Sequence, residues 1–401
     1  MNKNERISII KNILMVNKFV YVGKLACKFN VTERTIRRDI TSLVNAGIAE
    51  PFYGGASFVS IDNDRCFKNI GLNNIMVKEG GGEYNNIVIN KAPKDEMVFV
   101  LGSFNIDIVS ELSEFPKVGE TVRSISTNFY AGGKGANQAT AAAKVNNNVH
   151  LMAKIGCDDL GKKASNYLSV TDVNSLTLLE DNEKPTGNAI VFVSKGTNNN
   201  FIAINLGANE NIKKSEVVAA FDKIKKSKVF LTQLENNFDI TKLAINLAKE
   251  NNVPVILNPA PYNEVVKDIL TSVDVITPNE IEAEGLSGIH IQSIEDAKKA
   301  AEIIHQLGVE VVIITLGSKG AVMFNGTEFK HYPSFKSVVV DTSGAGDSFN
   351  GSLAACLANK YSLDYAIKFA SAFASLAVER KGASNMPSYD LVQNRLLNEN
   401  F

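Results

Sequence analysis

The chemistry of this 401-residue chain is concentrated in the stretch Val340-Asp341-Thr342-Ser343-Gly344-Ala345-Gly346-Asp347-Ser348-Phe349. It lies between an apolar run at 337–340, which reads as the end of a buried strand, and a helix predicted from Ser348 onward. Small residues at a helix start leave backbone N–H groups bare, so Gly344, Ala345 and Gly346 are suited to grip an anion. Asp347 sits at the mouth of that hole, placed to take a proton from a hydroxyl. An anion hole beside a carboxylate base describes phosphoryl transfer to an alcohol, where positioning and charge stabilisation dominate. For so short a pattern, a Gly-rich turn that only packs strand on helix is the plain alternative.

Two further stretches carry contact chemistry. The strand-type run 97–101 ends in Gly102-Ser103-Phe104-Asn105-Ile106-Asp107, and open α/β sheets place ligand contacts at the carboxyl ends of buried strands. Asn105 offers a donor and an acceptor and Asp107 accepts, so the pair suits the vicinal hydroxyls of a sugar. In Ala131-Gly132-Gly133-Lys134-Gly135-Ala136-Asn137-Gln138-Ala139 the glycines allow close backbone approach to a ligand, and Asn137 adds a directional contact. The spacing is not that of a Walker A loop.

The elements that must position these residues are legible as periodicities. Strand-type runs at 97–101, 228–231, 254–257, 274–277 and 311–315 alternate with helical stretches such as 240–250 and 296–307, the signature of an α/β domain with a mainly parallel sheet. The first 60 residues differ. Helical spacing is predicted over 5–17, 22–29 and 33–45, with Thr32 as the N-cap of the last, and 48–58 reads as a hairpin. Nine basic and four acidic side chains fall in residues 1–60, although the whole chain carries a net charge of −1. A basic head on an acidic body implies that the head alone meets a polyanion. The arrangement is that of a helix-turn-helix with a wing. Thr32, Arg34, Thr35, Arg37 and Arg38 crowd the start of its second helix, which would lie in the major groove of DNA. Residues 60–96 lack sustained periodicity and read as a linker with room for a short strand at 86–89. The four cysteines are scattered, no histidine sits at metal-ligand spacing, and no run is long enough to span a bilayer. With no targeting peptide evident, the expectation is a cytoplasmic protein.

Two families are resembled. Residues 1–59, through Thr32-Glu33-Arg34-Thr35-Ile36-Arg37-Arg38-Asp39 and Gly54-Gly55-Ala56, resemble the winged helix of DeoR-type regulators. Gly132-Gly133-Lys134-Gly135-Ala136-Asn137-Gln138 and Asp341-Thr342-Ser343-Gly344-Ala345-Gly346-Asp347 resemble the two signature stretches of the ribokinase-like (PfkB) sugar kinases. Gln233-Leu234-Glu235, Asn258-Pro259-Ala260-Pro261, Thr277-Pro278-Asn279-Glu280-Ile281-Glu282 and Thr315-Leu316-Gly317-Ser318-Lys319-Gly320 follow the same family in order. The resemblance covers 97–395 as a domain.

It implies a mainly parallel sheet with helices on both faces, and a small β-sheet lid from 122–130, 188–193 and 201–205 that also makes a homodimer. Asn105, Asp107, Gly132, Gly133, Lys134, Asn137 and Glu235 would hold the sugar, although Lys134 by itself reads more readily as a structural lysine. Asp347 would deprotonate the 5-hydroxyl of D-ribose, with Gly344, Ala345 and Gly346 as the anion hole for the γ-phosphoryl group of ATP. Asn279 and Glu282 would organise Mg²⁺ and the phosphates; Thr315, Gly317, Gly320 and Ser371 would border the nucleotide. Asp341, Ser343, Ala377, Arg380 and Gly382 correspond to ligands of a monovalent cation, K⁺. The following Ser384-Asn385-Met386-Pro387 departs from the family pattern, with Asn385 in place of a serine. The alternatives are a kinase for deoxyribose, fructose or a nucleoside, and a sugar-responsive regulator that uses the kinase fold as its sensor.

Overall fold

The structure is a computed structural model. It describes residues 6–7, 10–11, 14, 19–29, 31–45, 49–52, 55–58, 86–90, 97–145, 148–196 and 200–398. The chain divides into two compact units, residues 1–73 and 74–401.

In the smaller unit, Arg6, Ile7, Ile10, Lys11 and Leu14 are helical; the remainder of the helix predicted at 5–17 lies outside the described residues. Strand β1 (Phe19–Tyr21), helices α1 (Val22–Phe29) and α2 (Glu33–Asn45), and strands β2 (Ala49–Phe52) and β3 (Gly55–Phe58) follow. The three strands form an antiparallel sheet in the order β1-β3-β2, which gives the expected hairpin a third member. Ile10, Leu14, Leu25, Ile36, Ile40 and Leu43 make one buried cluster. The α2 apolar positions recur at helical spacing, which turns Arg34, Arg37 and Arg38 outward, all three exposed. Asp39 faces inward, where Arg6 Nε donates to its Oδ2 at 2.5 Å.

The larger unit begins with β4 (Asn86–Asn90), β5 (Met97–Leu101), β6 (Asn105–Leu112) and β7 (Ser126–Gly132). Then come α3 (Lys134–Lys144), β8 (Asn148–Gly156), α4 (Asp159–Ser169), β9 (Ser175–Asp181), β10 (Asn188–Ser194) and β11 (Asn200–Asn205). A 3₁₀ turn (Gly207–Asn211) leads into α5 (Lys214–Ala219), α6 (Phe221–Lys226), β12 (Val229–Thr232), α7 (Phe238–Glu250), β13 (Val255–Leu257) and β14 (Val275–Ile276). The chain closes with α8 (Glu280–Ser287), α9 (Ile294–Gln306), β15 (Val311–Thr315), β16 (Ala321–Phe324), β17 (Phe329–Tyr332), α10 (Ala345–Ala358), α11 (Leu363–Ala377) and α12 (Tyr389–Asn398).

Among the described residues the main sheet has the order β17-β16-β15-β14-β13-β12-β5-β8-β9-β4. It is parallel from β15 through β9, with antiparallel edges at β16–β17 and β4. Alternation along each strand divides the core in two. Val98 and Val100 of β5 pack beneath α3, α10 and α11, while Phe99 and Leu101 pack on the opposite face with α7 and α9. Helices therefore cover both faces, as expected.

A second sheet, β11-β10-β6-β7, is the lid. Its strands include one that the sequence reading did not name: Asn105 and Asp107, expected at the carboxyl end of the 97–101 strand, begin β6, and β7 starts at Ser126 rather than at 122. The lid exposes Phe129, Ile190, Phe192, Phe201, Ile202 and Ile204. The run 337–340 is not a buried strand: it is irregular, with Val338 79% and Val340 61% exposed. Its backbone is taken up at the end of α11 instead: the Val340 and Asp341 N–H groups donate to the Val378 carbonyl (2.8 and 3.1 Å) and the Val338 N–H to Glu379 Oε1 (3.4 Å). No described helix is long and apolar enough to cross a membrane.

One charged group sits deep in the core. Lys154 is fully buried on β8, donating to Glu216 Oε1 (2.9 Å) and the Asn211 carbonyl (2.8 Å), with Asp181 Oδ2 at 3.3 Å. Its position on β8 shares a face with Met152, so the ammonium reaches the 3₁₀ turn and α5 from beneath. Removing one partner of such a buried cluster strands the others. Lys154→Met is expected to lower unfolding free energy by about 3–5 kcal/mol in urea titrations. An unchanged urea midpoint would show that the cluster contributes nothing.

Candidate active site

The start of α10 carries the site. Gly344 occupies the left-handed region (φ 76°), and a Cβ there would also crowd the Ala383 backbone, so glycine is required twice. The Ala345 N–H returns to the Thr342 carbonyl (3.2 Å). The amides of Gly346 and Asp347, next in the first turn, belong to residues lining a cavity of about 180 Å³. Asp347 is only 8% exposed. Its carboxylate is oriented from α3: Asn137 Nδ2 donates to Oδ2 and Gln138 Nε2 to Oδ1, each at 3.0 Å. Gln138 also donates to Asn258 Oδ1 (3.0 Å) and accepts from Gln233 Nε2 (2.7 Å), so a chain of buried amides sets its rotamer.

Around this base stand the residues predicted to meet a polyol. Asn105 is buried at the start of β6, and Asp107 lies two residues on, so both point to one face of the lid strand. Gly132 pairs with Asn105 across β7, and a Cβ on it would overlap the Asp107 carboxylate. Gly133 (φ 89°) leaves no space for a side chain against Ser103 and Phe104. Glu235 is buried, accepting from the Ser103 hydroxyl and from the Lys134 N–H (3.1 Å). Burial, and then the charges of Glu235 and Asp347, push the Asp107 carboxyl up to about 6. Burial works against the Lys134 ammonium, but Asp347, Glu235 and Glu282 outweigh it and hold its pKa above the ordinary value. Lys134 lines the cavity.

Asn279 and Glu282 line the same cavity from the N-terminus of α8, tied as a reciprocal capping box. The Asn279 N–H and Nδ2 both donate to the Glu282 carboxylate (2.9 and 3.0 Å), and the Glu282 N–H returns to Asn279 Oδ1 (2.9 Å). Burial raises the Glu282 carboxyl above its usual range despite these donors. Beyond Thr315, Thr342, Ala345 and Gly346, which line both, opens a second cavity of about 520 Å³. Gly317, Gly320 and Ser371 line it, together with apolar Phe335, Val339, Phe349 and Val378. A small polar chamber thus adjoins a larger, mostly apolar one, with the anion-gripping helix start between them.

Asp341 fixes the loop beside that helix start. Its oxygens accept from the Ser343 and Gly382 N–H groups, both at 2.9 Å. Burial opposes its charge, but the Gly382 and Ser343 donors prevail and hold it below the usual carboxylate range. The Ala377 carbonyl accepts from the Arg380 N–H and the Gly382 carbonyl from the Asn385 N–H. Asn385 Nδ2 reaches the Lys381 carbonyl at 3.5 Å. In the head, Thr32 and Thr35 join hydroxyls (3.0 Å) at the start of α2, and Arg37 makes an exposed pair with Glu33 at 3.3 Å.

Sequence reasoning gave no part to Ser103, Gln138, Gln233 and Asn258 beyond membership in quoted motifs, and none at all to Asn209. Asn350 was missed too; it accepts from Thr277 and donates to the Gly346 carbonyl. A helix start rich in glycine flanked by aspartates was the only signal available for the last of these.

Residues 95–389 match the pfkB family carbohydrate kinase, and residues 6–62 a DeoR-like helix-turn-helix domain. The chain belongs to the pfkB family of carbohydrate kinases and carries a DeoR-like domain at its N-terminal end. The ribokinase of Haemophilus influenzae is 37% identical over 290 residues, spanning 72% of this chain and 94% of that protein. The deoxyribokinase of Salmonella typhimurium is 32% identical over 295 residues, 73% and 96% of the two chains. The Arabidopsis thaliana ribokinase complexed with ribose and ATP has a similar structure, with a TM-score of 0.70 at 32% identity, covering 76% of this chain and 99% of that one.

The raised Asp107 carboxyl has a consequence for stability. Its folded pKa of about 6 exceeds the ordinary 3.8, so its contribution is fully present below about pH 4 and is lost as pH rises through 6. Asp107→Asn is expected to remove that part of the slope and to be more stable than wild type above pH 7, by up to about 3 kcal/mol. Urea unfolding at pH 4, 5.5 and 7.5 measures this, and parallel stability curves for the two proteins would refute it.

Proposed function

We propose that this chain phosphorylates D-ribose at O5 with ATP, and that its head reads DNA. The observation that carries the first part is Asp347, buried and held by Asn137 and Gln138 on the wall of the polar chamber, next to Ala345 and Gly346, which line both chambers. The sugar is held by Asn105, Asp107, Gly132, Gly133, Lys134, Asn137 and Glu235, beside the polar chamber that Lys134 and Asp347 line. Asp347 takes the 5-hydroxyl proton as the O5–phosphorus bond forms and the bond to the β-phosphate oxygen breaks, releasing ADP. The amides at Gly344–Gly346 receive the charge on the moving phosphoryl group, of which the Ala345 N–H is partly engaged by Thr342. Thr315, Gly317, Gly320 and Ser371 border the adenosine, whose flat apolar ring suits the larger cavity.

Glu282 fits a role near Mg²⁺, since it is a buried carboxylate facing the chamber; with Asn279 it would orient the ion's waters rather than enclose the ion. The ion supplies charge neutralisation between the phosphates. Asp341, held below the usual carboxylate range, would serve a K⁺ site; the Ser343, Ala377, Arg380 and Gly382 carbonyls would complete it, with Asn385 in place of the usual serine. The exposed apolar residues of the lid support a homodimer built on that sheet. Ribose is favoured over 2-deoxyribose because Asn105 is polar where a 2-hydroxyl would lie.

ATP turnover is to be measured with D-ribose, 2-deoxyribose and fructose, with and without K⁺, for wild type and Asp347→Asn. The expected result is ribose-dependent turnover falling about 10²–10⁴-fold in the variant, and slower without K⁺. Equal rates with ribose and 2-deoxyribose would move the substrate to the wider pentose class. Ribose binding without turnover would favour a second reading, supported by the DeoR-like match, in which the kinase fold is a sugar sensor.

For the head, Arg34, Arg37 and Arg38 stand exposed on one side of α2. Replacing Arg38 with Ala is expected to weaken DNA binding and, if it meets a phosphate, to reduce the slope of log affinity against log salt by about 1. DNA affinity identical in wild type and in the triple Arg→Ala variant would remove DNA from the reading.

A further inference from the structure

The 3₁₀ turn Gly207–Asn211 carries no role above, yet it holds the residue that decides what Asn105 can offer a ligand. Asn209 is fully buried and every polar atom of its side chain is engaged. Oδ1 accepts from the Phe104 N–H (3.0 Å). Nδ2 donates to the Phe104 carbonyl (3.0 Å), the Leu206 carbonyl (2.9 Å) and Asn105 Oδ1 (2.9 Å). These partners permit a single orientation of the amide. A backbone N–H can only donate, so the oxygen must face Phe104 N; the carbonyls can only accept, so the nitrogen must face them. That NH₂ has two hydrogens for three acceptors, so one is shared, and it cannot accept; the Asn105 atom 2.9 Å away is therefore its oxygen rather than a second NH₂. Asn105 Oδ1 is turned toward Asn209, which leaves its NH₂ as the group turned away from Asn209 to meet a ligand.

The surroundings leave this pair no freedom. A Cβ on Gly187 would overlap both Asn105 Oδ1 and Asn209 Nδ2, although the Gly187 backbone itself does not demand glycine. The far end of the turn is clamped by the buried Lys154, and Asn211 Nδ2 donates to Asp181 Oδ2 at 2.6 Å. On β6 the result is a fixed donor at Asn105 and an acceptor at Asp107, on one face and two residues apart.

We propose that Asn209 is a positioning residue for sugar selection, holding Asn105 as a hydrogen-bond donor so that the site favours a sugar with an oxygen at carbon 2 over its 2-deoxy counterpart. This rests on the reading of the site as a pentose kinase in which Asn105 meets that position.

The test is kcat/KM for D-ribose and for 2-deoxyribose in wild type, Asn209→Ala, the near-isosteric Asn209→Asp, Asn105→Ala and the double variant Asn105→Ala/Asn209→Ala. Thermal melting and the KM for ATP are followed alongside. Each Asn209 substitution is expected to reduce the ribose to 2-deoxyribose ratio about tenfold, one hydrogen bond's worth, chiefly through the KM for ribose. The KM for ATP should stay within about twofold. In the Asn105→Ala background, Asn209→Ala should leave the ratio unchanged, because the two act through one contact. An unaltered ratio in folded Asn209 variants, or an equal fall in the Asn105→Ala background, would overturn the proposal. Loss of folding in both Asn209 variants would make the residue purely structural and overturn it too. A wild-type protein that turns over neither sugar, or both alike, would instead sink the ribose reading, and this inference with it.

Discussion

The site depends on how closely α3 and α10 approach. Gly351 lies where any Cβ would overlap the Gln138 carbonyl and crowd Ala141, and Ala139, Ala141, Ala142, Ala354 and Ala355 are fully buried around it. Alanine and glycine at a helix contact let two backbones come nearer than larger side chains permit, and the dense core around them cannot give way. That proximity is what allows Asn137 and Gln138, in the first turn of α3, to reach across to Asp347 in the first turn of α10. Both helix starts are glycine-bounded, at Gly133 and Gly344, each with positive φ. Two small-residue helices packed side by side thus bring two N-termini, one carboxylate and two carboxamides into a single corner.

Electrostatics then divides the space around that corner. Asp107, Glu235, Glu282 and Asp347 surround a single Lys134, an excess of negative charge when all are ionised. A neutral polyol can exchange hydrogen bonds with such a wall, whereas a polyphosphate would be repelled by it. The opposite side is formed by a helix start, with its positive dipole end and backbone donors. The two halves therefore favour different ligands before any shape is considered. Burial first, and like charge after it, raises the Asp107 and Glu282 carboxyls, and Lys134 offsets part of that at Glu282.

What could be seen in the sequence was what the chain determines locally. Glycines beside an aspartate at a strand–helix junction, and small residues after Gly132-Gly133, announce backbone geometry wherever they occur, so the Asp347 and Asn137 corner was legible. Alternating and continuous apolar runs placed the parallel strands. The amide relay through Gln233, Gln138 and Asn258 was not, because a buried carboxamide has no periodicity and its partner lies 95 to 120 residues away. Asn209 failed for the same reason, its bond to Asn105 crossing 104 residues. Residues 337–340 misled in the other direction. Three consecutive valines have high strand propensity, but the segment is held at the end of α11, where the Val340 and Asp341 N–H groups donate to the Val378 carbonyl.

The head obeys the same logic of segregation. In α2, Ile36, Ile40 and Leu43 turn inward with Asp39, which is neutralised by Arg6 beneath it. The helix therefore keeps an acidic residue in its middle without presenting it to a polyanion, and its exposed side retains Arg34, Arg37 and Arg38 with one glutamate, Glu33, as counter-charge. An exposed pair such as Arg37 with Glu33 holds little energy and is readily exchanged for a phosphate. The larger unit carries the opposite net charge, together with a chamber rich in carboxylates. A net negative unit repels polyanions, and one chain can hold a basic surface and a carboxylate-lined chamber because each is built within its own compact unit.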